Sequence, residues 1–202
     1  MNHLKTEQEI FWGTDFGNKY LKRSLKSDRI FTIGKDLLNN KVIINEVLEL
    51  GANVGLNLDA IKRVYPDVKT YGLEINKLAY NIGKKKHKFY NKPILNFKSK
   101  KKYDLVYSVG VLIHQNPKHL NAFYNKLYSL SKKYIYLNEY FNPTPVTIKY
   151  RNNDEKLFKR DFAKELWIKF PKLKLIDYGF HWKQDPRLKN CCDNSNWFLF
   201  QK

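Results

Sequence analysis

Residues 45–66, NEVLELGANVGLNLDAIKRVYP, decide the fold. NEVLELG is a compact apolar run ending at a glycine, the pattern of a strand buried on both faces of a parallel sheet. NLDAIKRVYP then takes up helical spacing and stops at Pro66. Between them Gly51 allows a tight turn with close approach of the backbone to a ligand, and Gly55 allows close packing of helix on strand. The third glycine of a G-x-G-x-x-G fingerprint is missing, which argues against a nicotinamide dinucleotide. Glu74 ends the next apolar run, YGLEIN, nineteen residues beyond Gly55. An acidic side chain at that place accepts both hydroxyls of an adenosine ribose, so a ligand is expected outside the carboxyl ends of the strands.

Working outward, short strand-like runs alternate with longer helical ones. Residues 68–75 read as the second strand, 77–90 as a helix, 92–97 as a weaker third strand, 103–113 as a strong fourth and 133–141 as a fifth, with a helix over 117–131 between the last two. Residues 142–155, with two prolines and several turn formers, read as an irregular excursion. A helix over 159–170 follows, and LKLIDYGFHW and NSNWFLFQ close the chain without room for a helix between them. Alternation of strand and helix predicts a Rossmann-like α/β domain over residues 41–202, a mostly parallel seven-stranded sheet ending in an antiparallel hairpin at its edge. Residues 1–40 form a helical extension. Its Phe11, Trp12, Phe16 and Tyr20 recur at helical spacing and either pack on the core or cover a ligand.

Composition narrows the classes. The chain has 202 residues, 43% hydrophobic and 15% aromatic, too apolar for a disordered chain and suited to one domain. No apolar run reaches the ~20 residues of a membrane span, and the first residues lack the apolar stretch of a signal peptide, so a cytoplasmic protein with no membrane partner is expected. Cys191 and Cys192 are adjacent and cannot readily pair with each other, so two reduced thiols and no metal site are expected. The net charge of +19 comes from 32 lysines and only six arginines, beside 21 asparagines. Phosphate and base readers favour the arginine fork, so the charge fits codon bias or the steering of an anionic small substrate as well as a nucleic-acid partner.

Further candidates cluster at the carboxyl ends of the later strands. Asn96 stands where an amide reaches an adenine edge, or simply in a turn. Asp104 begins the fourth strand and reads as structural. Ser108, Gly110 and His114 lie at or beyond that strand's end, and His114, able to take a proton near neutral pH, is a candidate base. Glu139 at the end of the fifth strand is its rival, with Tyr140 beside it. Asn116-Pro117 and Asn142-Pro143 lack the second proline and ring of an N-P-P-Y loop, so base-directed amino-methyl transfer is not indicated.

Taken together these residues resemble class I S-adenosylmethionine-dependent methyltransferases. More closely, the chain is similar to the pseudaminic acid biosynthesis-associated methylases, through FWGTDFGNKYLKRS (11–24), VLELGANVGLNL (47–58), YGLEIN (71–76), YDLVYSVGVLIHQNP (103–117), EYFNPTPVTIKYR (139–151), KLFKRDFA (156–163), LIDYGF (175–180) and WFLF (197–200). Ser24 departs from the Asn usual in that family. The resemblance implies S-adenosyl-L-methionine as cofactor, with Glu49, Gly51, Asn53 and Gly55 around its methionine portion, Glu74 on the ribose and Asn96 and Phe97 flanking the adenine. Tyr20 and Arg23 would close over it, Arg23 meeting its carboxylate. Arg151, Lys156 and Arg160 would hold an anionic sugar or sugar nucleotide, the acceptor of an O- or N-methyl transfer. An RNA or protein methyltransferase and a non-catalytic cofactor-binding protein are the alternatives.

Overall fold

The computed structural model describes residues 6–24, 32–188 and 193–202, without the side chains of residues 23 and 24. The expectations for Arg23, Ser24, Cys191 and Cys192 therefore lie, wholly or for their side chains, outside the described residues.

The strand read first is the centre of the molecule. β1 (Glu46–Leu50) pairs in parallel with β2 (Lys69–Leu73) on one side and β4 (Tyr103–Val109) on the other. β3 (Lys88–Tyr90) extends the parallel sheet beyond β2, and β5 (Ser131–Glu139) extends it beyond β4. β9 (Ser195–Gln201) runs antiparallel between β5 and β8 (Lys174–His181), giving the order β3-β2-β1-β4-β5-β9-β8. This is a Rossmann-like architecture, a seven-stranded, mostly parallel sheet with a C-terminal antiparallel hairpin.

Successive side chains of β1 go to opposite cores, Val47 to one and Leu48 to the other, which is why both faces had to be apolar. Leu48 meets α6 (Leu120–Leu130) and α7 (Phe162–Lys169) through Phe123, Leu127 and Leu166. Val47 meets α3 (Thr32–Asn39) and α4 (Leu56–Val64) through Ile33, Leu37, Leu58 and Ile61. α5 (Lys77–Gly83) joins α2 (Asp15–Ser24) through Ala79 and Leu21. α1 (Glu7–Gly13) starts with a capping box, Thr6 with Glu9, and breaks from α2 at Thr14, so the aromatic N-terminal stretch is two helices rather than one. Among the described residues no helix is long and apolar enough to cross a membrane.

Two expectations are corrected. The third strand is residues 88–90, not 92–97, and the helix before it ends at Gly83. Phe89 and Tyr90 reach opposite cores, as a strand requires. Ile94, Leu95 and Phe97 all turn to one core, and the amides of Asn96 and Phe97 fold back onto the carbonyls of Pro93 and Ile94 (both 3.2 Å). The stretch 142–155 is not irregular either: β6 (Val146–Tyr150) and β7 (Asn153–Lys159) form a separate antiparallel hairpin. Its two-residue loop, Arg151 (φ 50°) and Asn152 (φ 66°), has both residues left-handed, the conformation that matches strand twist. The prolines at 143 and 145 only precede it, where no ladder amide is needed.

Asp104 is structural, as its place suggested. Its carboxylate accepts from the amides of Asn45 (2.9 Å) and Glu46 (3.2 Å) and ties the start of β1 to β4. Asp104→Ala, which orphans these amides, should lower the unfolding free energy by about 1–3 kcal/mol in urea denaturation. Ligand affinity, read at the opposite end of the strands, should not change.

Candidate active site

The carboxyl ends of β1, β2, β4 and β5 open into one cavity of about 350 Å³, covered by α1, α2 and the tip of the β6–β7 hairpin. This is where open α/β sheets take their ligands. The turn after β1 forms its floor. Gly51 (φ 77°) and Gly55 (φ 89°) are both left-handed, and a Cβ at Gly51 would lie 2.6 Å from the Val111 side chain.

Two carboxylates face this lobe. Glu49 is buried and accepts from Asn57 Nδ2 (2.6 Å) and the Tyr107 hydroxyl (3.2 Å). Burial pushes its pKa up to about 8; the two donors pull it back and the nearby Glu74 charge adds to the rise. Glu74 accepts from the amides of Asn53 (2.7 Å) and Asn76 (2.6 Å), one on each oxygen. Burial raises its pKa as well, against the pull of those amides.

The other lobe is built by β4, β5 and the hairpin. Glu139 is 4% exposed, and both its oxygens are engaged: Oε1 accepts from Ser108 Oγ (2.8 Å) and the amides of Val111 and Leu112 (both 3.1 Å), Oε2 from the amide of Ile113 (3.3 Å). Burial holds its pKa near 7 despite these donors. They fix the single turn Leu112–His114. His114 Nδ1 is 2.7 Å from the Lys156 carbonyl oxygen, which can only accept, so Nδ1 carries the proton and Nε2 the lone pair. Its ring packs against Trp12 and Tyr150, with centroids 4.6 and 4.9 Å away. Burial depresses its pKa to about 4.

Of the residues singled out in the sequence, Trp12, Tyr20, Glu49, Gly51, Asn53, Glu74, Gly110, His114, Tyr140 and Arg151 line this one cavity. Gly55, Asn96, Phe97, Ser108, Glu139, Lys156 and Arg160 stand behind its wall. Phe97 is in the core against Tyr90, and Asn96 is in the turn whose Ile94 and Leu95 reach the cavity. The Lys156 ammonium lies 3.3 Å from Glu7, and Arg160 Nε lies 2.7 Å from Glu165. Sequence reasoning passed over Tyr150, Asp193 and Asn138, which also line the cavity. Asn138 did leave a trace, a polar residue directly after the apolar run Tyr134–Leu137 of β5. Tyr150 and Asp193 left none, since long-range folding brings them here.

No family model matches the chain, and no curated protein matches it. Solved structures do. Magnesium protoporphyrin IX methyltransferase from Synechocystis PCC 6803, with bound SAM, superposes with a TM-score of 0.64 at 12% identity over 100% of both chains. The plantazolicin methyltransferase BpumL in complex with SAH gives 0.64 at 14% identity, over 96% of this chain and 94% of that one. The O-methyltransferase of a Brevibacillus brevis trans-AT PKS multienzyme, with S-adenosyl-L-homocysteine, gives 0.62 at 16% identity, over 98% and 80%. The fold this chain shares with them is that of class I methyltransferases.

The geometry makes His114 a neutral imidazole across the physiological range. In ¹⁵N NMR its ring should remain the Nδ1–H tautomer until the pH falls to about 4. Because its folded pKa lies below the ~6.5 of an unfolded histidine, the stability it contributes is present above pH ~6.5 and is lost as pH falls towards 4. Protonation near 6.5 in the folded protein would contradict the buried placement.

Proposed function

We propose that this chain is an S-adenosylmethionine-dependent methyltransferase acting on a small molecule. The observation that carries the reading is the pair of buried carboxylates, Glu49 and Glu74, facing one cavity over a left-handed glycine turn in this fold. Such a donor set suits a cationic ligand with a ribose diol. Glu74 takes the backbone amides of Asn76, Asn53 and Ile75 on oxygens that accept about four hydrogen bonds, which leaves a lone pair for a ribose hydroxyl. Glu49, Gly51 and Asn53 would surround the methionine portion, with Gly55 starting the helix behind them. The turn holding Asn96 and Phe97 would border the adenine, through Ile94 and Leu95. Tyr20 would close over the cofactor.

When bound, the cofactor supplies a sulfonium methyl carbon open to displacement by an oxygen or nitrogen. The protein's part is to align that carbon with the acceptor, which alone is worth ~7–11 kcal/mol. Where the attacking oxygen or nitrogen carries a proton to be lost, the protein also has to take it. His114 can do so through Nε2, whereas Glu139 has both oxygens engaged and serves, with Ser108, to hold the His114 turn. Tyr140 and Arg151 face the acceptor side. An anionic sugar or sugar nucleotide, the acceptor the resemblance suggested, would meet Arg151; Lys156 and Arg160 are paired with Glu7 and Glu165 instead. α1 and α2 act in this reading as a cover over the site.

Calorimetric titration with S-adenosylmethionine and S-adenosylhomocysteine tests the proposal. Micromolar binding, about −8 kcal/mol, should be lost in Glu74→Ala; no binding of either ligand to the wild type would remove the reading. A second signature comes from Glu49. With a pKa of about 8 it is largely protonated at pH 7, and a cation beside it should expel that proton. Binding enthalpy at pH 7 should therefore depend on the ionisation heat of the buffer, and Glu49→Gln should abolish the dependence.

A further inference from the structure

Asn76 joins the cover over the site to the end of β2. It is 4% exposed and follows Glu74 by two positions, and its own amide donates to Glu74 Oε1 (2.6 Å). Its side-chain oxygen caps α5, accepting from the amides of Leu78 and Ala79 (both 3.0 Å). Those two groups can only donate, so they fix the rotation of the side-chain amide: Oδ1 meets α5, and Nδ2 carries its hydrogens to the other side. There Nδ2 donates to Asn18 Oδ1 on α2 (2.8 Å) and to the carbonyl of Trp12 in the last turn of α1 (3.3 Å).

A helix cap alone does not call for this arrangement. Serine and aspartate cap a helix as well as asparagine does, and what asparagine adds here is a pair of amide hydrogens turned to the cover. The two helices are shaped to receive them. At Gly17 of α2 a Cβ would lie 1.9 Å from the Trp12 carbonyl oxygen and 2.9 Å from Asn76 Nδ2, so any side chain there would push the three groups apart. The ring of the same Trp12 packs on His114, and both residues line the cavity. Trp12 is thus held at the cofactor lobe by its backbone while its side chain walls the acceptor lobe.

We infer that Asn76 is a positioning residue that keeps α1 and α2 closed over the cavity, and that a ligand in the cavity tightens the same closure. Gln8, Trp12, Gly17 and Tyr20 of the cover line the cavity, so a ligand filling it meets them only in the closed arrangement. That difference in contact is what shifts the balance. Closure then sets Trp12 against His114, so the wall for the acceptor is completed from the cofactor side. The inference rests on the methyl-transfer reading only for the identity of that ligand, S-adenosylmethionine or its product.

Amide hydrogen exchange tests it, followed by mass spectrometry on the whole protein with and without saturating S-adenosylhomocysteine. Asn76→Ser keeps the cap on α5 and removes the amide hydrogens that hold the cover. Without ligand, residues 7–22 should exchange at least about fivefold faster than in the wild type, the factor expected for losing neutral hydrogen bonds, while residues 77–83 keep their rate. Asn18→Ala removes one acceptor on the cover and should do the same to a smaller degree. S-adenosylhomocysteine should slow residues 7–22 in the wild type and in both variants, a reversal that plain damage to the helices would not show. Three results would overturn the inference: wild-type rates for residues 7–22 in Asn76→Ser, equal acceleration of residues 77–83, or bound S-adenosylhomocysteine that leaves residues 7–22 unprotected. Failure of the wild type to bind S-adenosylhomocysteine would instead remove the methyl-transfer reading, leaving the ligand-free rates to decide this one.

Discussion

Glu139 ends β5 where the strand is buried, and among the described residues no basic side chain pairs with it. An ionised carboxylate in such a place is costly unless hydrogen bonds replace its water. Four donors do so, three of them the successive amides of residues 111–113. The chain leaving β4 must therefore wrap around the end of β5 rather than continue as strand, and much follows from that wrap. It puts Val111 over Gly51, so only glycine fits the turn that opens α4. It also turns His114 under the hairpin.

The parts of this arrangement made by neighbours in sequence could be read directly. The β1 turn, Glu74 at the end of β2, and the strand–helix alternation all depend on spacings of a few residues, and they fell where expected. The parts made by distant segments could not. Residues 88–90 have too few apolar positions to outweigh ILNF by pattern, yet only they place side chains on both faces of the sheet edge. The hairpin was hidden because prolines and turn formers crowd the same stretch as V-T-I-K-Y. Lys156 looked open to a ligand because Glu7, which neutralises it, comes from a distant element, whereas Glu165 follows Arg160 by only five residues and was legible as its partner.

Charge shows the same division between local and global. The chain carries +19, but the described residues facing the cavity include Glu9, Glu49, Glu74 and Asp193 against Arg151 alone. Two of these acids, Glu49 and Glu74, are buried, and burial raises both pKa values, so the interior is far less charged than the lysine-rich surface.

The hairpin meets the rest through the rings of Tyr150, Trp12, Phe16 and His114, through buried Leu157 and Phe158, and through a few polar groups. Gln8 Nε2 donates to the Glu155 carbonyl (3.3 Å), Lys156 pairs with Glu7, and the Lys156 carbonyl accepts from His114. That last bond is the one that keeps the imidazole proton on Nδ1. A hairpin that swings away to admit a molecule takes with it the group that dictates which nitrogen is basic, leaving the ring free to re-tautomerise and to meet water. The position of the hairpin and the choice of the basic nitrogen are thus one property of the structure, set by a single carbonyl.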